Sequence, residues 1–284
     1  MIKELKITNK DFPESLKHIP KVPERIFVRG NILKEDSVAV AIVGARKCSS
    51  YGKQAAYDFA YGLAKNGVTV VSGLALGIDG EAHKGALDAG GRTLAVLGTG
   101  IDDKSIYPYA HKSLAERVLE NGALISEYET GTPALPHQFP ERNRIVSGLS
   151  VGVLVVEAKE RSGSLITANL ALEQGRDVFS VPGPIFSPGS KGTNRLIQQG
   201  AKLVLTPEDI LEELKIQGIE LKEVKTELTE DEEKVFELLK NESLHTDDII
   251  KKTRLAANAV LTAITLLEMK KLIKNIGSNT FVKI

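Results

Sequence analysis

Seven times between residues 37 and about 214, a short β-branched run, most often ending in Gly or Ser, gives way to a helical stretch. That rhythm restricts the possible folds more than any other feature. The runs are VAVAIVG (38–44), VTVVSG (68–73), TLAVLG (93–98), ALISE (123–127), VGVLVVE (151–157), DVFSVPG (177–183) and KLVL (202–205). Several lack polar alternation, as strands do when helices cover both faces of a parallel sheet. The stretches between them supply the helices: YGKQAAYDFAYGLAKNG sets Ala55, Phe59 and Leu63 at helical spacing and ends at Gly67. Residues 37–217 are therefore expected to form a doubly wound, mostly parallel α/β domain, closed by a last helix in PEDILEELKIQG.

The flanking segments follow other patterns. Residues 1–36 hold Pro13, Pro20 and Pro23 and read as a short, irregular lead-in packed on the α/β domain. Residues 218–228, with mixed charge and weak periodicity, read as a linker. Residues 229–284 give three helical segments and then two short strands around Gly277, Ser278 and Asn279, the order of a small winged-helix domain. Thr229, with Glu232 three residues on, predicts a capping box at the first of these helices. Charge is divided along this tail: residues 227–248 hold nine acids and two lysines, and residues 249–284 hold seven bases and one acid.

Composition narrows the function classes. The 284 residues carry 37 Lys+Arg against 37 Asp+Glu, so partners are governed by where positive charge is concentrated, not by its total. The longest apolar runs fall well short of the roughly 18 residues that span a bilayer, and the start MIKELKITNKDF has no signal-peptide core. A soluble, cytoplasmic protein with no membrane partner is expected. The one cysteine, Cys48, cannot form an internal disulfide, and no zinc pattern accompanies it. No cofactor is expected.

Ligands of a parallel sheet settle at the carboxyl ends of its strands, where helix N-termini face anions. The segments at those ends are rich in Gly and Ser: GARKCSSYG (44–52), SGLALGID (72–79), GTGID (98–102), RSGSLIT (161–167), PGP (182–184) and GSKGTN (189–194). A single such glycine is most often just a tight turn; the whole set at one sheet edge describes a phosphate-binding rim. It matches neither GxGxxG nor GxxxxGK[ST]. The most distinctive stretch, HQFPERNRIVSGLS (137–150), places Phe139, Arg142, Asn143 and Arg144 within eight residues. An aromatic beside two arginines offers stacking for a base and charge for phosphates. The plainer alternative puts Phe139 in the core and bridges the arginines to Glu127 or Glu157. Cys48, at a helix start, could have a lowered pKa; His83 reads as a structural hydrogen-bonder.

Taken in order, GARKCSSYG, SGLALGIDGEAH, GRTLAVLGTGIDDKSIYP, ISEYETGTP, FPERNRIVSGLS, VVEAKERSGSLITANLALEQGRDVFSVPG and GTNRLIQQGA resemble the DNA-processing protein A (DprA/Smf) family across about residues 13–205. The resemblance implies an extended Rossmann-like core that binds single-stranded DNA without strong sequence preference. It also implies a homodimer that passes the strand to a RecA-type recombinase in natural transformation, with no nucleotide hydrolysis. Carried over, Gly44, Arg46, Ser49, Ser72, Gly73, Gly98 and Gly100 would line the DNA groove, Ser162, Gly163 and Ser164 would offer donors at a helix start, and Phe139 would stack on a base. Arg142 and Arg144, flanking Asn143, would touch phosphates or shape the loop. Relatives often carry a basic residue before the phenylalanine, where this chain has Pro136, His137 and Gln138; Lys53 and Lys191 are the weaker candidates to compensate. The family's frequent N-terminal helical domain is expected to be missing.

Two points remain open at this level. The tail's third helix exposes mainly Asn258, Thr262 and Thr265, which suits non-specific DNA contact or docking better than base reading, with Lys251, Lys252 and Arg254 as its charge. The rival function is a nucleotide-processing hydrolase related to the phosphoribohydrolases, although RSGSLITANLALE stands where their PGGxGTxxE motif would be.

Overall fold

A computed structural model describes residues 2–219, 228–240, 242–270 and 272–283. The chain divides into two compact units, Met1–Val224 and Lys225–Ile284. The expected linker at 218–228 falls mostly outside the described residues.

In the first unit, β1 (Ile2–Lys6) and β2 (Arg25–Gly30) precede the alternating pattern. Then come β3 (Ala39–Val43), α1 (Ser50–Lys65), β4 (Thr69–Ser72), α2 (Ile78–Asp88), β5 (Thr93–Leu97), α3 (Lys112–Glu120), β6 (Gly122–Ser126) and α4 (Gln138–Gly148). The unit continues through β7 (Gly152–Val155), α5 (Gly163–Glu173), β8 (Asp177–Ser180), α6 (Lys191–Gln198), β9 (Lys202–Leu203) and α7 (Pro207–Ile216). The sheet order is β1-β2-β6-β5-β4-β3-β7-β8-β9. From β6 to β9 all neighbours are parallel; β2 pairs antiparallel with both β6 and β1. The lead-in is thus not irregular but extends the sheet by two strands.

The uniform hydrophobicity of the central strands follows from burial on both faces. In β3, Ala39, Ala41 and Val43 join one cluster with Ile145, Val146 and Ala168 of α4 and α5, together with Leu16 and Ile19 of the lead-in. Val40 and Ile42 join the other, with Phe59, Leu63, Ala82 and Ile210 of α1, α2 and α7. Each wholly buried Leu or Ile contributes about 1.5–3 kcal/mol. Helices α1 and α2 cross closely because Gly85 offers no side chain: a Cβ there would collide with the Tyr57 carbonyl oxygen.

The second unit contains α8 (Glu230–Leu239), β10 (Leu244–His245), α9 (Thr246–Thr253), α10 (Ala257–Met269), β11 (Ile273–Asn275) and β12 (Thr280–Lys283). Its sheet order is β10-β12-β11. The first strand, only two residues long, was not anticipated. Val235, Leu239, Ile249, Val260, Ile264, Leu267 and Phe281 make its core. The capping box forms: Thr229 donates its N–H to Glu232 Oε2 (2.7 Å), and Thr229 Oγ1 accepts from the Glu232 N–H. On α10, Asn258, Thr262 and Thr265 are exposed, alongside Leu261 and Met269. On α9, Lys251 and Lys252 pair with Asp248 and Glu242.

Candidate nucleic-acid interface

From β3 the chain winds through β4, β5 and β6 in one direction, and from β7 through β8 and β9 in the other. The switch point therefore lies between β3 and β7, where loops leaving adjacent strands diverge and open a crevice at the carboxyl edge. A groove of about 650 Å³ occupies this place. Its lining comes from Gly44, Ala45, Arg46 and Lys47 after β3, and from Lys159, Arg161, Ser162, Gly163 and Ser164 between β7 and the first turn of α5. Phe139, Pro140, Arg142 and Asn143 of α4, Asp79 of α2 and the loop residues Tyr107 and Pro136 also contribute.

Four cations stand at this rim. Arg46, Lys47, Lys159 and Arg161 are all exposed. Phe139 is half-buried, with the Arg46 guanidinium 5.2 Å from its ring centroid and the Tyr107 ring 5.8 Å away, tilted by 46°. Gly98 lets the ring settle, since a Cβ there would come within 3.2 Å of it. At α5, Ser162 caps the helix, and a Cβ added to Gly163 would meet nothing within 4 Å. The groove thus reaches an open helix start, whose partial positive charge suits an anion. Asn143 Nδ2 donates to the Gly163 carbonyl (3.3 Å) and ties α4 to that turn.

The floor is built from a buried charge pair. Arg142, 5% exposed, donates from Nη1 to the carbonyls of Gly73 (2.8 Å) and Val96. Asp79, 7% exposed, accepts the Gly73 N–H (3.1 Å). Burial pushes the Asp79 carboxyl up and the Arg142 guanidinium down to about 10, and each group's charge opposes the other's shift. Arg142 therefore joins α4 to the ends of β4 and β5, the arrangement of a loop-shaping residue, and it also lines the groove floor.

Other expectations change for the same reason, that polar groups near the sheet satisfy one another. Arg144 does not face the groove: it donates to both carboxylate oxygens of Glu127 (2.7 and 2.8 Å) and to the Lys21 carbonyl (2.9 Å). Ser72, Gly73, Gly98 and Gly100 are buried behind the groove and do not line it. Ser72 Oγ donates to the Ile42 carbonyl (2.6 Å), and a side chain at Gly73 would strike Arg142. Ser49 caps α1, and its N–H (2.9 Å) and Oγ (3.2 Å) both donate to Glu157. Among the described residues, Glu157 is thus a partner of the α1 start and of neither Arg142 nor Arg144. The same carboxylate, after burial, pushes the Cys48 thiol up from its ordinary value, opposite to the expected lowering. His83 is wholly buried, with Nδ1 2.7 Å from Thr93 Oγ1.

Neither lysine considered as compensation reaches the groove. Lys191 lies in a separate depression with Glu160 and Arg195, and Lys53 in another with Tyr57 and Glu81. Beside Arg46, the exposed basic residues at the groove are Lys47, Lys159 and Arg161, which were not among the expected site residues. Lys159 and Arg161 were findable, because they directly follow the strand VGVLVVE within AKERSGS. Tyr107 had no such signal; it comes from a loop ten residues beyond its strand. Among the described residues, no helix is long and apolar enough to cross a membrane, and no group of three or more His, Cys, Asp or Glu could hold a metal ion.

Comparison with known proteins accords with this geometry. Residues 221–276 match the DprA winged helix domain. Protein Smf of Escherichia coli (strain K12) is 52% identical over 204 residues, which cover 72% of this chain and 54% of that protein, so the chain spans about half the length of this relative. The solved structure of DNA processing protein A (DprA) from Streptococcus pneumoniae is 44% identical with a TM-score of 0.71, over 75% of this chain and 74% of that one. DNA processing protein A from Helicobacter pylori, described for its single-stranded DNA binding mode, is 30% identical with a TM-score of 0.68, over 76% and 97% of the two chains. Residues 3–215 match the family described as DNA recombination-mediator protein A, and this chain belongs to that family.

Proposed function

We propose that this protein is a recombination mediator that holds single-stranded DNA in the groove at the β3/β7 switch point. As a homodimer in the cytoplasm it presents the strand to a RecA-type recombinase, without hydrolysing a nucleotide. One observation carries the reading: a half-buried aromatic, four exposed cations and an open helix start line one groove at the switch point. Of the relatives compared, the Helicobacter pylori protein is described by its binding of single-stranded DNA.

The chemistry is additive. Arg46, Lys47, Lys159 and Arg161 replace counterions on successive phosphates. The α5 start receives another phosphate through backbone N–H groups. Phe139 stacks on a base and contributes about 1–3 kcal/mol without reading its identity. A second subunit doubles the length of track and adds avidity.

Single-strand affinity of Arg46→Ala and Phe139→Ala, measured by fluorescence anisotropy, tests this. Each substitution is expected to weaken binding by about 5- to 100-fold with little change in melting temperature, because neither side chain supports the core. Wild-type affinity in both variants would remove the groove from consideration.

A further inference from the structure

The residues that follow Ile106 are Tyr107, Pro108 and Tyr109, and both tyrosines are exposed. Tyr107 is 46% exposed and Tyr109 79% exposed, and neither hydroxyl has a hydrogen-bond partner among the described residues. The hydroxyls of Tyr51, Tyr57 and Tyr128, by contrast, bond to Pro182, Asp88 and Glu141. An exposed, unbonded tyrosine gains little from folding, so two in three residues call for an explanation.

The segment that presents them is fixed at both ends. Ile106 is buried, and its N–H and that of Ser105 both donate to the Asp102 carbonyl (3.2 and 3.0 Å). The Asp102 carboxylate accepts the Gly131 N–H (2.8 Å). Beyond the tyrosines, the His111 N–H donates to the Pro108 carbonyl (2.9 Å), and His111 Nδ1 lies 2.8 Å from the Leu74 carbonyl oxygen. The rings are thus held out on an ordered platform, which lowers the entropy lost when they engage a ligand. Tyr107 already lies against Phe139 and lines the groove.

We propose that Tyr107 stacks a second base beside the one on Phe139, and that Tyr109 continues this aromatic track outside the groove. The ligand is an unpaired polynucleotide, since only there are successive base faces available to successive rings. The exposed side chain of Lys104, in the same segment, supplies charge for the backbone of that part of the strand. The inference rests on the function proposed above and extends its footprint.

The chain itself provides a probe. It has six tyrosines and no tryptophan, so its intrinsic emission comes from tyrosine, and bases stacking on Tyr107 and Tyr109 should quench it. Wild type, Tyr107→Phe, Tyr109→Phe and the two Ala variants are titrated with deoxythymidine oligonucleotides of graded length, following both emission and anisotropy. An oligomer with abasic sites serves as the control. The Phe variants should bind as wild type but lose part of the quench, and the abasic oligomer should bind without it. Tyr107→Ala should lower affinity about 5- to 100-fold, and Tyr109→Ala should do so only for longer oligomers. Binding by wild type with undiminished quench in both Phe variants, or with full affinity in both Ala variants, overturns the track and leaves the groove standing. Failure of wild type to bind any oligomer overturns the groove as well.

Discussion

His83 shows how firmly a single buried side chain is set. Burial is the first cause that lowers its pKa from the ordinary 6.5 to about 3, and the nearby charges of His111 and Arg142 act in the same direction. Between these two values the unfolded chain binds a proton that the folded one does not, so this contribution to stability is complete above pH 6.5 and declines as pH falls. The slope is about 1.4 kcal/mol per pH unit, or about 2 kcal/mol between pH 6.5 and 5. Urea unfolding of wild type and His83→Gln over that interval should show a shallower decline in the variant; parallel curves would mean the ring is protonated in the fold. The same scale explains which site residues could be read in advance. Gly44, Arg46, Phe139, Asn143, Ser162, Gly163 and Ser164 stand at the groove because a position after a strand, or at a helix start, largely determines where a side chain goes. Arg142 could not be read so directly. Its surroundings, Gly73, Asp79 and Val96, lie 46 to 69 residues away in sequence, and only the fold shows that they enclose it.

At the scale of elements, the crossing of α1 over α2 depends on a missing Cβ. Gly→Ala within a helix ordinarily stabilises by a few tenths to 1 kcal/mol. Gly85→Ala should instead destabilise by about 1–3 kcal/mol, because the new methyl meets the Tyr57 backbone and no rotamer relieves it. Gly163→Ala, with open space around it, should follow the ordinary rule and leave stability unchanged or raised by a few tenths of a kcal/mol. Denaturant midpoints for the two variants check both expectations. The parallel strands β3 to β8 were legible because burial on both faces leaves continuous apolar runs; β9, two residues at the sheet edge, was legible only as part of KLVL. β1 and β2 were not: IKELK buries none of its residues, RIFVRG is only partly buried, and the prolines between them suggested loop. β1 is the sheet edge, with a single ladder to β2, so its composition resembles that of the surface, and β2 beside it is only partly covered. β10 escaped for a simpler reason, since two residues carry no periodicity.

Over the whole molecule, positive and negative charges balance at 37 each, yet four cations gather at one groove. Binding should therefore depend on salt as a basic protein's does, with a log–log slope of about −3 for one groove if each cation neutralises one phosphate. Lys159→Ala should reduce that slope by about 0.7, and anisotropy titrations across a range of sodium chloride concentrations measure it. A slope near zero would show that the cations do not meet phosphates. Glu157 adds a consequence of a different kind. Folds of this topology commonly seat the diphosphate of a soluble nucleotide against the first helix after the central strand, but here the protein's own carboxylate already fills that seat. A nucleotide's diphosphate would meet a negative charge at α1. On the function proposed above, the α1 start is therefore closed to a diphosphate, and phosphates are left to the α5 start and the four cations.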